Sequence, residues 1–204
     1  MSVQKIYLAS QSPRRAELLK QIGVAFEVLQ VRSDRARGMD VDETPQHEEL
    51  PEAYVRRVCL EKVTAAYAVL GYRALPAAPV LAADTTVVLD GKILGKPESP
   101  AHAVEMLQSL SGREHQVLTA IALVHGDDIA TAMSVSTVRF IELDEARIRR
   151  YLMSSEGRDK AGAYAIQGLG GAFVAHLAGS YSGVMGLPLC ETVALLRQFN
   201  LVTP

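Results

Sequence analysis

A chain of 204 residues with 49% hydrophobic and 22% charged content is long enough to bury a substantial core. Its formal charge of -2 provides no basic excess of the kind that general nucleic-acid or membrane-surface binding requires, so any anion site must be local. Cys59 and Cys190 lie far apart, without metal-ligand spacing and in apolar surroundings, and read as buried free thiols rather than a disulfide. No basic, long-apolar leader pattern is present and no run approaches the roughly 18 apolar residues that span a bilayer, so a soluble, cytoplasmic protein is expected.

The chain opens with Ile6-Tyr7-Leu8-Ala9, a short apolar strand, followed by the loop Ser10-Gln11-Ser12 and a helix whose buried positions are Ala16, Leu18, Leu19 and Ile22, stopped by Gly23. Ser12 before Pro13 has the pattern of an N-cap with proline at the first helical position. The loop thus brings backbone N–H groups, two hydroxyls, Arg14 and Arg15 to a positive helix end. That combination suits a phosphate, the alternative being a capped helix with solvated arginines. Ala25 to Val31 reads as a strand. Arg32 to Pro51 reads as a loop with a carboxylate cluster around Asp40, Asp42 and Glu43, either functional or simply a solvated excursion. Pro51 opens a second helix through Val55, Val58, Val63 and Tyr67. Val80 to Ala83 is an apolar strand ending in Asp84-Thr85-Thr86, continued by Val87 to Leu89 into an Asp90-Gly91 turn, with Lys92 to Leu94 returning to Gly95-Lys96-Pro97. An acid interrupting such a strand is costly unless paired or bound to a cation, which makes Asp84 the most informative residue in the chain.

In the second half, Ser99 to Leu110 is helical, with Ala103, Met106, Leu107 and Leu110 as its buried stripe. His115–His125 and Ile129–Phe140 are strands joined at Gly126-Asp127-Asp128, and Asp144 caps a helix to Met153. A glycine-punctuated polar stretch, 157–168, carries Asp159, Lys160 and Gln167. Phe173–Leu177 and Ser182–Val184 read as short strands, and Pro188 begins a last helix through Leu196 to Phe199. Strands joined both by helices and by hairpins imply an α/β fold with a mixed, partly antiparallel sheet flanked by helices, over a single domain 1–204; no Walker loop or GxGxxG fingerprint occurs.

Ser10, Arg14, Arg15, Glu43, Lys62, Asp84, Lys96, Asp159, Lys160 and Gln167 form a chemically coherent set, because phosphoryl chemistry needs negative charge neutralised and a water activated. Singly, each acid or lysine is more often a surface ion pair. The histidines show no ligand spacing, and His115, at a strand start, reads as structural. Tyr54, Tyr151 and Tyr164 read as core or cleft-wall residues.

Leu8-Ala9-Ser10-Gln11-Ser12-Pro13-Arg14-Arg15, Ala83-Asp84-Thr85, Gly95-Lys96-Pro97, Leu110-Ser111-Gly112 with His115, Asp159-Lys160-Ala161-Gly162-Ala163-Tyr164 with Gln167-Gly168, and Gly186-Leu187-Pro188-Leu189 occur in this order over nearly the whole chain. Together they resemble the Maf family of nucleoside triphosphate pyrophosphatases. The resemblance implies an elongated, two-lobed fold with a central cleft, similar to the inosine triphosphatases, and release of pyrophosphate from a nucleoside triphosphate with a divalent cation, Mg2+ or Mn2+. It implies Asp84 as proton acceptor, Lys62 and Lys96 as catalytic cleft residues, and Glu43 with Asp84 at the metal. Ser10, Arg14, Arg15, Thr85 and Gln167 become substrate-binding residues, and Arg14, Thr85 and Gln167 match the branch that acts on dTTP and UTP. Modified pyrimidine nucleotides could share that pocket. A homodimer is also implied, with no nucleic-acid or membrane partner; the alternative function is a nucleotide-binding regulator of septum formation.

Overall fold

The computed structural model describes residues 5–30 and 41–201. Val31, the Arg32–Asp40 part of the expected loop and Asp40 of its carboxylate cluster lie outside the described residues. The elements are β1 (Ile6–Leu8), α1 (Pro13–Gln21), β2 (Phe26–Val28), α2 (Pro51–Tyr72), β3 (Val80–Leu89), β4 (Lys92–Leu94), α3 (Pro100–Leu110), β5 (Glu114–His125), β6 (Asp128–Phe140), α4 (Glu145–Met153), β7 (Val174–Ala178), α5 (Tyr181–Met185) and α6 (Leu189–Gln198). A single mixed sheet runs in the order β2-β1-β3-β5-β6-β7, with β4 also paired to β3. β1 lies parallel to β2 and β3, and the remaining pairs are antiparallel. No described helix is long and apolar enough to cross a membrane.

The hairpin signals hold. Asp90 and Gly91 take φ values of 51° and 74°, the left-handed pair that a two-residue turn between twisted strands requires. The four residues expected to form the α3 stripe are the helix's buried residues, and Ser99 caps it by accepting from the His102 N–H at 3.1 Å. Asp144 caps α4 in the same way, at 2.7 Å from the Arg147 N–H.

The long strand β3 is central to the sheet and meets three other strands. β5 covers one edge of it from Val80 to Val88. The other edge is shared: β1 pairs with Val80 and Leu81, and β4 pairs with Val87 to Leu89. Among the described strands nothing pairs with residues 82–86 on that edge, so β1 and β4 fork apart and leave a notch with Asp84 at its centre. Because side chains alternate across a strand, Val80, Ala82 and Val88 pack beneath α2. On the opposite face Leu81 and Ala83 join a core with α1 and α6, while Val87 and Leu89 join a second core with α3 and α4. Thr85 and its β5 partner Thr119 lie on the seam between these two cores.

Four expectations are corrected. Asp84 is at mid-strand in β3 rather than at a strand end, since β3 runs unbroken through it, paired to β5, with the carboxylate met by Lys62. Ser182–Val184 belong to the short helix α5, capped by Ser180 Oγ accepting from the Gly183 N–H at 2.9 Å; three residues carry too little periodicity to separate strand from helix. Ser12 occupies the N-cap position of α1 but its side chain caps nothing; its N–H instead donates to Ser10 Oγ at 3.2 Å. Cys59 is buried, as expected, whereas Cys190 falls on the solvent side of the first turn of α6 and is exposed.

His115 is structural, as its strand position suggested. It is 3% exposed, stacked edge-on against Phe140 and Tyr164, with Nε2 2.9 Å from the Tyr164 hydroxyl and Nδ1 without a partner among the described residues. Burial pushes its pKa down to about 4. The unfolded chain, with a normal histidine near 6.5, therefore binds a proton that the native state refuses, so stability present above pH 6.5 is lost as pH falls toward 4. Urea unfolding should show a histidine-dependent loss of about 2 kcal/mol between pH 7.5 and pH 5. His115→Gln should flatten that part of the pH dependence, and an unchanged slope would contradict this assignment.

Candidate active site

The notch in β3 opens into a cleft of about 850 Å³, and every site residue expected from the sequence lines it: Ser10, Arg14, Arg15, Glu43, Lys62, Asp84, Thr85, Lys96, Asp159, Lys160 and Gln167. Five of the lining side chains are cationic and three are carboxylates, a local positive surplus in a chain whose net charge is -2. Such a site attracts anions without the basic surface that the composition excludes.

On the α2 side the centre is an ion-pair relay. Asp84 is 7% exposed, and Lys62 Nζ, from α2, lies 2.6 Å from its Oδ1 and 2.7 Å from Glu43 Oε1. Lys96 Nζ, just beyond β4, is 3.6 Å from Glu43 Oε2. Burial works to raise the Glu43 pKa, but Lys62 and Lys96 outweigh it and hold the carboxyl below its ordinary value. Below this relay, burial and the nearby Asp84 charge push the Cys59 thiol up to about 12, and burial with Asp84 and Glu43 pushes the Tyr54 phenol up to about 12. Both stay neutral, so the one thiol near the site is not a nucleophile. Asp84 and Glu43 are the two cleft carboxylates that converge on the Lys62 ammonium. No cluster of three or more His, Cys, Asp or Glu suited to a metal occurs among the described residues.

On the opposite face of β3 the two arginines divide. Arg15 donates from Nε to the Gly186 carbonyl at 2.8 Å, from Nη1 to Ser10 Oγ at 3.2 Å and from Nη2 to Thr85 Oγ1 at 3.3 Å. It ties the first loop, β3 and the end of α5 together. Gly186 turns the chain there with φ 113°, a conformation that glycine adopts without cost. Thr119 Oγ1 extends this network, 3.0 Å from Thr85 Oγ1 and 2.8 Å from the Gly183 carbonyl. Arg14, by contrast, ends none of the described hydrogen bonds or ion pairs. Burial lowers its pKa, with Asp159, Glu17 and Glu156 opposing.

The third wall follows α4. Lys160 pairs with Asp159; burial raises the Asp159 pKa, but Lys160 and Arg14 bring it below its ordinary value. The Gly162 N–H donates to the Gly95 carbonyl at 3.1 Å, joining this wall to the Lys96 loop. Gln167 is exposed at the rim, on a loop held by Glu156, whose carboxylate accepts from the N–H groups of Leu169 and Gly170 at 2.9 and 3.0 Å and from the Tyr151 hydroxyl at 3.1 Å. A side chain at Gly168 would place its Cβ 2.1 Å from Glu156 Oε2, so the carboxylate would have to leave this position to admit one. Tyr54 and Tyr164 line the cleft, while Tyr151 is in the core. Sequence reasoning missed Thr119 and Glu156. Only Thr119 carried a local signal, a hydroxyl interrupting an apolar strand as Asp84 does.

Residues 5–199 match the family described as Maf-like protein. The chain is 53% identical over 193 residues to the dTTP/UTP pyrophosphatase of Nitrosomonas europaea, covering 95% of this chain and 93% of that protein. It is 54% identical over 194 residues to the protein of the same name from Ralstonia nicotianae, again covering 95% and 93%. With that of Bordetella pertussis it shares 50% over 201 residues, 98% and 95% of the two chains. The solved structure of the Staphylococcus aureus Ham1 protein overlays 67% of this chain and 72% of its own, with a TM-score of 0.46 and 18% identity.

The division between the two arginines is measurable. Lysine cannot reproduce the fork that reaches Gly186, Ser10 and Thr85, so Arg15→Lys should cost about 2–3 kcal/mol in urea unfolding. Arg14→Lys should change stability by less than about 0.5 kcal/mol. Equal losses would contradict the assignment of Arg15 to the framework and Arg14 to the cleft.

Proposed function

The chain belongs to the Maf family, and from that membership and the cleft we propose that it is a nucleoside triphosphate pyrophosphatase, hydrolysing dTTP and UTP to the monophosphate and pyrophosphate. The observation that carries the reading is Asp84: a carboxylate in the middle of a buried strand, facing a cleft with surplus cations and held by a single lysine. Relatives that share about half of their residues over nearly the full length bear the name of this activity.

In this reading a water beside Asp84 attacks the α-phosphorus. Its proton passes to the carboxylate, the bond from the α-phosphorus to the bridging oxygen breaks, and pyrophosphate departs. Arg14, Lys62 and Lys96 offset the charge that builds on the triphosphate and on the leaving group, and Lys160 adds to the same field. Arg15 and Ser10 shape the loop against which the phosphates lie. Asp84 and Glu43 suit a divalent cation, because they already converge on one ammonium within 2.7 Å of both, and magnesium is commonly held by one or two carboxylates with substrate phosphates completing its shell. When bound, Mg2+ or Mn2+ would neutralise phosphate charge and acidify a water.

Base choice is assigned to Arg14, Thr85 and Gln167. The Gln167 amide both donates and accepts, and ends none of the described hydrogen bonds, so it is free to pair with the O4 and N3–H edge shared by uracil and thymine. The wrong base leaves those groups unpaired. Modified pyrimidine triphosphates with the same edge fall within this reading. The reading extends to a single domain over 1–204, three cores sharing one sheet, and to a cytoplasmic homodimer without nucleic-acid or membrane partners, as the family resemblance implies. A regulatory nucleotide binder would need no proton-accepting carboxylate, and nothing in the cleft favours that alternative.

The test is pyrophosphate release with Mg2+ or Mn2+ across UTP, dTTP, CTP, ATP, GTP and 7-methyl-GTP. UTP and dTTP should lead, and Asp84→Asn should lower kcat by about 10²–10⁴-fold with the fold intact. Turnover insensitive to that change would remove Asp84 from the chemistry. Gln167→Glu should depress UTP and dTTP hydrolysis relative to the purine nucleotides while leaving the melting temperature unchanged; unaltered ratios would sink the base-reading role.

A further inference from the structure

Glu43 presents a physical difficulty. Its side chain is 45% exposed and stands on an irregular segment, yet it meets Lys62 at 2.7 Å. An exposed loop carboxylate would ordinarily wander, because fixing backbone and rotamer costs entropy that a surface ion pair does not repay. Something must hold the segment.

The holding group is on α2. Arg57 lies outside the cleft and donates from Nη1 to the Asp42 carbonyl at 3.3 Å and from Nη2 to the Thr44 carbonyl at 3.1 Å. The Tyr54 hydroxyl donates to the carbonyl between them, that of Glu43, at 2.9 Å. Three consecutive carbonyls around Glu43 are thus each held by a side chain of one rigid helix. Arg57 is itself fixed by a fork to Glu49, at 2.7 Å from Nε and 2.8 Å from Nη2, by Glu61 one turn on at 3.3 Å, and over the Tyr54 ring at 5.7 Å. Glu49 closes the segment on itself by accepting the Gln46 N–H at 3.0 Å, and Asp42 accepts the Thr44 N–H at 2.9 Å. Only a planar guanidinium can serve a carboxylate and two divergent carbonyls at once.

We propose that Arg57 is a positioning residue: assisted by Tyr54, it clamps the Asp42–Thr44 backbone so that the Glu43 carboxylate is presented beside Lys62 and Asp84 to the divalent cation that accompanies the nucleotide. This rests on the reading of Glu43 as a cation-holding residue. Arg57 touches neither substrate nor reacting atoms and acts through Glu43 alone.

The experiment is a double-mutant cycle read by two observables: Mn2+ affinity, from paramagnetic resonance titration in the presence of a non-hydrolysable α,β-imido analogue of UTP, and kcat/KM for UTP. Arg57→Met should weaken Mn2+ binding by about 10–100-fold, the usual cost of losing an outer partner of a metal ligand, and Glu43→Gln, which removes the ligand itself, by at least as much. The double variant should be no worse than Glu43→Gln. Arg57→Lys, which keeps the charge without the fork, should recover little of the loss, and Tyr54→Phe should give a smaller loss that also vanishes in the Glu43→Gln background. These two variants carry the test if Arg57→Met does not fold. Losses from Arg57 and Glu43 that multiply, or Mn2+ affinity unchanged in folded Arg57 variants, would overturn the inference while leaving the proposed function standing. A wild-type protein inactive on UTP and dTTP, or Mn2+ binding indifferent to Glu43→Gln, would instead remove the underlying reading and the inference with it.

Discussion

A carboxylate in the middle of a buried β-strand is sustained here by one ammonium group. Desolvating Asp84 without compensation would cost several kcal/mol, and Lys62, 2.6 Å away on the helix that covers that face of the sheet, supplies the compensation. The pair sits where it does because β1 and β4 meet the same edge of β3 from opposite ends and leave residues 82–86 without a strand neighbour on that side. A fully paired strand at this place would leave no cleft, and a notch without the acid would lack the proton acceptor that the proposed reaction needs. Removing Lys62 would leave two carboxylates facing each other, so the relay links stability to chemistry.

The cleft is built by a division of labour among like-charged residues. Arg15 spends its donors on Gly186, Ser10 and Thr85, joining elements that are far apart in sequence. Arg14, its neighbour, spends none of the described ones and faces the cleft. Likewise Lys62 is held between two acids, while Lys96 reaches Glu43 only at 3.6 Å and is largely exposed. In the proposed reaction the framework cations would hold the shape of the cleft while the free ones meet the phosphates, the preorganisation that a charged transition state rewards. Arg57 extends this logic one layer outward, to the backbone that carries Glu43.

Much of this was legible in the sequence, where local chemistry is decisive. The α3 stripe, the cap of α4 and the Asp90-Gly91 turn depend on neighbours a few residues apart, and each formed as expected. Asp84 stood out because an acid in an apolar strand has no inexpensive explanation, and the motif order of the family gathered the other cleft residues. What was not legible is set by tertiary partners. Ser182–Val184 is too short for its period to speak, and the hydroxyl of Ser180 decides for helix. Ser12 loses its capping role because its N–H turns to Ser10. Cys190 lies on the outer side of a turn whose orientation only the packing of α6 determines. Arg57 looked like any helix-surface arginine, since the carbonyls it holds lie on a segment with no regular structure.

The central claim is that a water held at Asp84 attacks the α-phosphorus, and it is tested most directly by following the solvent oxygen. In a single-turnover hydrolysis of UTP in 18O-enriched water, one heavy oxygen should appear in UMP and none in pyrophosphate, as read by mass spectrometry of both products. Label in the pyrophosphate, or release of orthophosphate in place of pyrophosphate, would contradict the account of how this cleft works.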